Sequence, residues 1–170
     1  VAEEVRIAPA DPLAATRFAT ERELILPCFP TPPLAIEHFG STAVPRLAAK
    51  PIIDIMVLVA DLAEGMAARP ALEQVGYAYS SGPPERPRIV FIKGVPLRTH
   101  HLHIHADADE FRRHMIFRDH LRAHAEDRAA YEALKHDLAA RFRTDRIAYA
   151  DAKSDFIDAI VARAGGPARK

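Results

Sequence analysis

Ile36-Glu37-His38-Phe39-Gly40-Ser41-Thr42-Ala43-Val44-Pro45, followed by Lys50-Pro51-Ile52-Ile53-Asp54-Ile55-Met56-Val57-Leu58-Val59, is the stretch that decides how the chain folds. An apolar strand ends in Gly-Ser, a Pro-punctuated turn follows, and a second apolar run carries one carboxylate at its centre. A strand of Ile and Val does not keep an Asp for packing, because an unpaired buried carboxylate is expensive. Asp54 therefore points to a polar site at a sheet, holding a metal, a phosphate-bound cation or a fixed basic partner.

Around this core the spacing alternates strand and helix. Asp11-Pro12 predicts a helix start, with Asp11 as N-cap and Pro12 at the first helical position. That helix should run to about Leu26, burying Leu13, Phe18, Leu24 and Ile25. Strands are expected at 34–39, 52–59, 77–79, 88–93 and 99–105, the last two joined by Gly94-Val95-Pro96 as a hairpin-like pair. Asp61 can cap a helix ending before Gly76, and residues 80–87 form a Gly/Pro loop with the composition of a mobile segment. After Asp107 the period lengthens from two to about three and a half. Phe111, Met115 and Leu121 mark one helix, Tyr131, Leu134, Leu138 and Phe142 a second, and Ala152, Phe156, Ile157 and Ile160 a third. Gly165-Gly166-Pro167 ends the last helix and leaves residues 165–170 as a flexible tail. The expected class is α+β, a mixed sheet covered by helices with a helical C-terminal third. At 170 residues the prior is one domain over 1–170.

Composition narrows the function. Lys plus Arg and Asp plus Glu balance at 23 each, which argues against bulk nucleic-acid or membrane-surface binding. Cys28 is the single cysteine, so no internal disulfide can form, and a reducing cytosol fits. The acidic start lacks a signal-peptide pattern, and the run 52–60 is too short to span a bilayer. A soluble cytoplasmic protein is expected, with its oligomeric state open.

Thr99-His100-His101-Leu102-His103-Ile104-His105 holds four of the nine histidines. On a strand His101, His103 and His105 share one face, and imidazoles two residues apart can meet on one cation. The alternative is a solvated sheet face that is rich in histidine. With Asp54 on a neighbouring strand, a carboxylate and two imidazoles make a partial coordination sphere. Gly40-Ser41-Thr42 could offer backbone N–H groups and hydroxyls to a phosphate, or be an ordinary strand-to-turn junction. Lys50 and Arg98 each precede an apolar strand and could bind phosphate or carboxylate, against a solvated strand end and a salt bridge. Only one of Glu37 and His38 can face the pocket. Arg118-Asp119 reads as ion pairing, and Tyr131, Phe142 and Phe156 as core. Lys153 could run along the C-terminal helix to face Asp54 or a phosphate, with Tyr149 on the same side, or lie in solvent.

Glu37-His38-Phe39-Gly40-Ser41-Thr42-Ala43-Val44-Pro45 with Leu47-Ala48-Ala49-Lys50-Pro51-Ile52-Ile53-Asp54-Ile55 resembles the signature of the GrpB family. Thr99-His100-His101-Leu102-His103, Phe117-Arg118-Asp119 and Tyr149 with Lys153 and Phe156 resemble its later blocks, in the same order, so the likeness spans about Val5 to Ala164. It implies a nucleotidyltransferase-like fold, and a family whose members stand alone or occur fused to dephospho-CoA kinase. The superfamily pattern implied is a hydrophobic residue, Gly, Gly or Ser, a spacer, then Asp-x-Asp or Asp-x-Glu. Phe39-Gly40-Ser41 and Asp54-Ile55-Met56 match it, with Met56 where the second carboxylate belongs, a place the family usually fills with an apolar residue. Arg46 stands where the family usually has Gly, which predicts a turn without positive φ, or a rearranged loop.

Two activities follow from the resemblance. One is metal-assisted nucleotidyl transfer from a nucleoside triphosphate. Asp54 with His101 or His103 would hold a divalent cation, Mg2+ or Mn2+ first and Zn2+ as a further choice. Gly40, Ser41 and Thr42 would cradle phosphates, and Lys50, Arg98 and Lys153 would neutralise charge. The other is a catalytically degenerate module that binds a nucleotide or another phosphorylated small molecule and regulates a partner such as dephospho-CoA kinase. A His/Asp metal hydrolase on the same scaffold is a third reading.

Overall fold

The computed structural model describes residues 4–80 and 87–170. Its centre is a mixed five-stranded sheet in the order β1-β2-β5-β4-β3. The strands are β1 (Ala35–Phe39), β2 (Ile53–Leu58), β3 (Tyr77–Ser80), β4 (Ile89–Lys93) and β5 (His100–His105). β2 runs antiparallel to β1 and parallel to β5, while β4 pairs antiparallel with both β5 and β3. The α+β class expected from the pattern is the class observed. Residues 81–86, most of the loop read as mobile, lie outside the described residues.

Alternation along the strands separates two faces. Ile36, Ile55, Val57, Leu102, Ile104 and Phe91 point one way, into a core shared with α1 (Ala14–Ile25) and α3 (Arg69–Gln74) through Ala14, Ile25 and Leu72. The other face carries Glu37, Asp54, Met56, His101 and His103, and α4 (Ala108–Ala123) packs against its β1, β2 and β5 strands. A second apolar cluster joins the turn residues Val44 and Leu47 to Phe117 and Leu121 of α4, Tyr131 of α5 (Ala125–Arg141), and Ile160 and Val161 of α7 (Ser154–Arg163). The loop between β1 and β2 is thereby clamped by the helical third.

Several local expectations need correction. α1 begins at Ala14, because the Asp11 carboxylate accepts from the Leu13 N–H at 2.8 Å and closes a turn ahead of the helix. Leu13 and Leu24 point outward, and the inward stripe is Ala14, Phe18, Glu21 and Ile25. That stripe admits Glu21 because Lys93 and the Tyr77 hydroxyl meet its carboxylate at 2.6 and 2.8 Å. The helix capped by Asp61 is two helices, α2 (Leu62–Ala67) and α3, broken at Ala68 two residues before Pro70. The last stretch is also two, α6 (Arg146–Asp151) and α7, with Lys153 at the junction as the residue capping α7. Arg46 has φ 66°, so the turn keeps the left-handed backbone that a glycine would adopt freely, contrary to the reading from its Cβ. The Arg113 guanidinium of α4 donates to the Pro167 carbonyl, and Lys170 pairs with Asp107. None of the described helices is long and apolar enough to cross a membrane.

Candidate functional site

The site begins where β1 stops. Gly40 takes φ 71°, which favours glycine, and a Cβ built on it would sit 3.0 Å from Asp54 Oδ2 and press on the carboxylate. Residues Ser41–Ala43 turn once as a 3-10 helix and lead into the clamped loop. Phe39 lies opposite Asp54, and on its other side Asp54 pairs in register with His101.

This register brings Asp54, His101 and His103 together. Asp54 Oδ1 is 3.4 Å from His101 Nδ1 and 3.8 Å from His103 Nε2. One donor atom from each lies within 4.8 Å of the others, the single such group among the described residues. Burial alone pushes the Asp54 carboxyl up, but hydrogen bonds and charge from both imidazoles outweigh it and hold the group well below the usual carboxylate range. His103 moves down, chiefly through burial, with Asp54 opposing. His101 Nε2 is buried and makes no hydrogen bond. His105, the third histidine of that face, is buried against His114 and is lowered to about 3 by desolvation, so it belongs to the packing.

Met56 is buried between Glu37 and His103 in the register, so a thioether fills the place of a second carboxylate. Glu37 lies on the Asp54 face and accepts from Arg118 of α4 at 2.9 Å. Arg118 also donates to the His38 carbonyl, so it ties α4 to β1 as well as pairing with Asp119. The His38 ring lies on the α1 side, stacked on Phe18 at 5.0 Å, and its Nε2 pairs with Thr42 Oγ1 at 2.9 Å. The Thr42 hydroxyl donates to the Ile52 carbonyl, which places it in the framework of the turn. A cavity of about 420 Å³ opens beside this turn, lined by Pro12, Ala14, His38, Thr42, Val44 and Arg122 among others and without Asp54.

Basic groups approach from the helical third, from the loop between β1 and β2 and from the start of β5. Lys153 Nζ sits 4.4 Å and Lys50 Nζ 5.6 Å from the centre of the Tyr149 ring. Burial lowers Lys153 to about 8, against the attraction of Asp54. Arg98 is half-buried just ahead of β5, at the end of the β2–β5 pair where the Ile53 N–H donates to the Thr99 carbonyl. Two neighbours were missed. Tyr131 belongs to the core as read, and burial pushes its phenol up, with the Ser41 hydroxyl acting the other way. Lys135 is fully buried, and its ammonium donates to the Ala48 carbonyl. The signal for Lys135 was its place four residues after Tyr131, on the apolar stripe of α5.

Comparison with known proteins agrees over most of the chain. The profile of the GrpB protein family matches residues 4–163. A UPF0157 protein of Pseudomonas aeruginosa is 42% identical over 168 residues, covering 95% of this chain and 68% of that protein. The crystal structure of the conserved protein GrpB from Enterococcus faecalis superposes with a TM-score of 0.83 at 33% identity, over 94% of this chain and 96% of that one. Cid1, solved in complex with its short product ApU, shares the fold at a TM-score of 0.56 and 12% identity, over 79% of this chain and 43% of its own. The chain belongs to the GrpB family.

Proposed function

We propose that this protein is a metal-assisted nucleotidyltransferase acting on a nucleoside triphosphate. The observation that carries the reading is the position of Asp54, beside the glycine turn that ends β1 and within 3.4–3.8 Å of two imidazoles. The donor set fits a divalent cation. Two donors on one ion with bonds of about 2.1 Å lie roughly 3.0–3.4 Å apart, close to the spacings present. One carboxylate and two imidazoles suit Mn2+ or Zn2+ better than Mg2+, which prefers oxygen ligands. A cation held by Asp54, His101 and His103 would neutralise charge on the phosphates and polarise the one under attack.

The remaining work falls to the chain. The Gly40 turn and the Ser41 hydroxyl hold the α-phosphate side. Lys50, Lys153 and Arg98 offset the charge of the departing pyrophosphate. A hydroxyl or amine acceptor attacks the α-phosphorus, the bond to the bridging oxygen breaks, and the acceptor's proton passes to solvent or a nearby base. The shared fold with Cid1, solved in complex with its short product ApU, supports a nucleotide as substrate.

Met56 supports a second reading. Two-metal phosphoryl transfer needs several hard oxygen ligands, and here the second position is a buried thioether. A module that binds nucleotide through one cation without turnover would look the same. Pyrophosphate release from each of the four nucleoside triphosphates, with Mn2+, Mg2+ or Zn2+ and a panel of small hydroxyl and amine acceptors, separates them. Metal-dependent release abolished by Asp54→Asn supports transfer. Metal-dependent nucleotide binding with no release from any of them leaves the binding module.

A further inference from the structure

The cavity beside the Gly40 turn lies apart from the Asp54 group, and one ring sets its chemistry. His38 is only 5% exposed and lines this space of about 420 Å³. Phe18 stacks on the ring with the two planes 13° apart, and Thr42 Oγ1 meets its Nε2 at 2.9 Å. A threonine hydroxyl has a single proton to give. That proton goes to the Ile52 carbonyl, so Nε2 must carry a hydrogen and donate to Oγ1. Burial lowers the ring to about 4 and keeps it neutral near pH 7, which leaves Nδ1 as a bare acceptor. Nothing among the described residues donates to Nδ1, and the atom is not sealed in, so it opens on the cavity that the ring lines. An acceptor held in so enclosed a place is best met by a donor on a ligand.

The second polar group is Arg122, at the end of α4. Its Nε donates to the Ala43 carbonyl at 2.9 Å, which ties the guanidinium to the turn. Its charge is poorly matched. Arg118 holds both Glu37 and Asp119 at 2.9 Å, and Arg122 Nη1 is left 3.7 Å from Asp119, past hydrogen-bond reach. The neighbouring charge of Arg118 also acts against it. Asp11 borders the cavity, but its carboxylate already meets Arg17 at 3.0 Å and the Leu13 N–H at 2.8 Å. Lys50 borders it too and adds positive charge. Between these groups the walls are apolar, with Pro12, Ala14, Val44 and Leu47 among them. A carboxylate matches a guanidinium edge by two parallel bonds, and apolar walls suit an organic body rather than a free inorganic anion.

We propose that this cavity binds a small organic carboxylate that also carries one hydroxyl or amine. The carboxylate lies on Arg122, the O–H or N–H donates to His38 Nδ1, and the body packs against Pro12, Ala14, Val44 and Leu47. The site does not rest on the nucleotidyl-transfer reading, so binding is measured on the full chain with metal chelated. The probes, titrated by saturation-transfer NMR, are the three hydroxybutanoates with the hydroxyl at successive carbons, leucine and para-hydroxybenzoate. Each is compared with its partner lacking the hydroxyl or amine, with its primary amide, and with inorganic phosphate. At least one probe should bind with Kd of about 1 mM or tighter, losing about threefold or more without its donor and about tenfold or more as the amide. Nitrogen NMR of the imidazole should show Nδ1 bare in the free protein and hydrogen-bonded once that probe is added. His38→Gln, which keeps an N–H for Thr42, should bind the probe and its donor-less partner alike, and Arg122→Gln should bind acid and amide alike. Arg141→Gln, an exposed arginine of α5, should leave affinity unchanged. The ligand comparisons and the nitrogen spectrum are read on the wild type, so they decide the matter even where a variant fails to fold. No probe bound below about 10 mM, a proton on Nδ1 in the free protein, inorganic phosphate bound as tightly as the best probe, or affinity unchanged in both the His38 and Arg122 variants overturns the proposal.

Discussion

The two faces of β2 and β5 are made from the same two stretches of sequence, yet they differ in nearly every physical respect. Toward α1 and α3 lie Ile53, Ile55, Val57, Leu102 and Ile104, all buried in one apolar cluster. Toward α4 lie Asp54, Met56, His101 and His103, one residue over. Stability and chemistry are thus separated by a single peptide rather than by a domain. The apolar face holds the strands in register, and the register sets the Asp54 to imidazole spacing. A site built on rigid central strands also positions its groups more closely than one built on loops.

Breaking the apolar face should give the largest effect. Leu102 is 0% exposed between His101 and His103. Leu102→Ala should lower unfolding free energy by about 2–5 kcal/mol, measured by urea denaturation. While folded, the variant should keep its ligand affinity, since the neighbouring imidazoles point the other way. A collapse of affinity in the folded variant would show that the two faces are not separable.

Acid should strain the framework next. Burial lowers His38 from 6.5 to about 4, with Asp54 opposing and Arg122 and Arg118 assisting. Below pH 6.5 the unfolded chain takes up a proton that the native ring refuses, so stability is full above that pH and falls until about pH 4. The loss from this one ring is about 3 kcal/mol. His105, lowered to about 3, adds to it in the same direction. His38→Gln, which keeps an N–H for Thr42, should reduce the slope of stability against pH by up to about 1.4 kcal/mol per unit in that window. An unchanged slope would remove His38 as a buried neutral group.

Asp54→Asn sharpens the comparison from the polar side. Metal-dependent nucleotide binding, followed by fluorescence titration with Mn2+, should weaken about a hundredfold, because an amide cannot replace the charge that draws in a cation. Asp54 sits on the site face and outside the apolar cluster, so the melting temperature should move less than in Leu102→Ala. The opposite ranking would make Asp54 a structural carboxylate whose task is to pair His101 and His103.

Much of this was legible because it is local. Strand periodicity placed Asp54 and the alternate histidines, and the Gly40-Ser41 junction marked where β1 ends. What escaped depends on partners far away in sequence. Glu21 is admitted to the buried stripe of α1 by Lys93 and Tyr77, more than fifty residues on, while Leu13 and Leu24, apolar by type, are left outside. The break before α7 leaves Lys153 as a cap rather than a residue on a helix flank, although its ammonium still meets the Tyr149 ring. Lys135 carries no signal of charge partner in sequence, since what it binds is the Ala48 carbonyl, 87 residues away. The role of Tyr131 was half read for the same reason. Its ring packs against Phe117 and Phe156 as a core residue does, while the Ser41 hydroxyl acts on its phenol.

Arg46 gives the smallest effect and tests the loop that joins the two faces. Its φ of 66° places a Cβ residue in the left-handed region, which costs about 1–2 kcal/mol for a residue other than glycine. Arg46→Gly removes that strain but gives the unfolded chain more freedom, which returns about 0.5–1 kcal/mol. The net expectation is a gain of about 0.5–1 kcal/mol, read as a small rise in the urea midpoint with no change in its slope. Arg46→Ala keeps the strain and removes the side chain, so it should leave stability within about 0.5 kcal/mol of wild type, as for an exposed position. A loss of stability in Arg46→Gly together with Arg46→Ala would mean that the guanidinium itself holds the loop. The clamp on Ala48, whose N–H donates to Glu132 and whose carbonyl accepts from Lys135, would then have a third member on its solvent side.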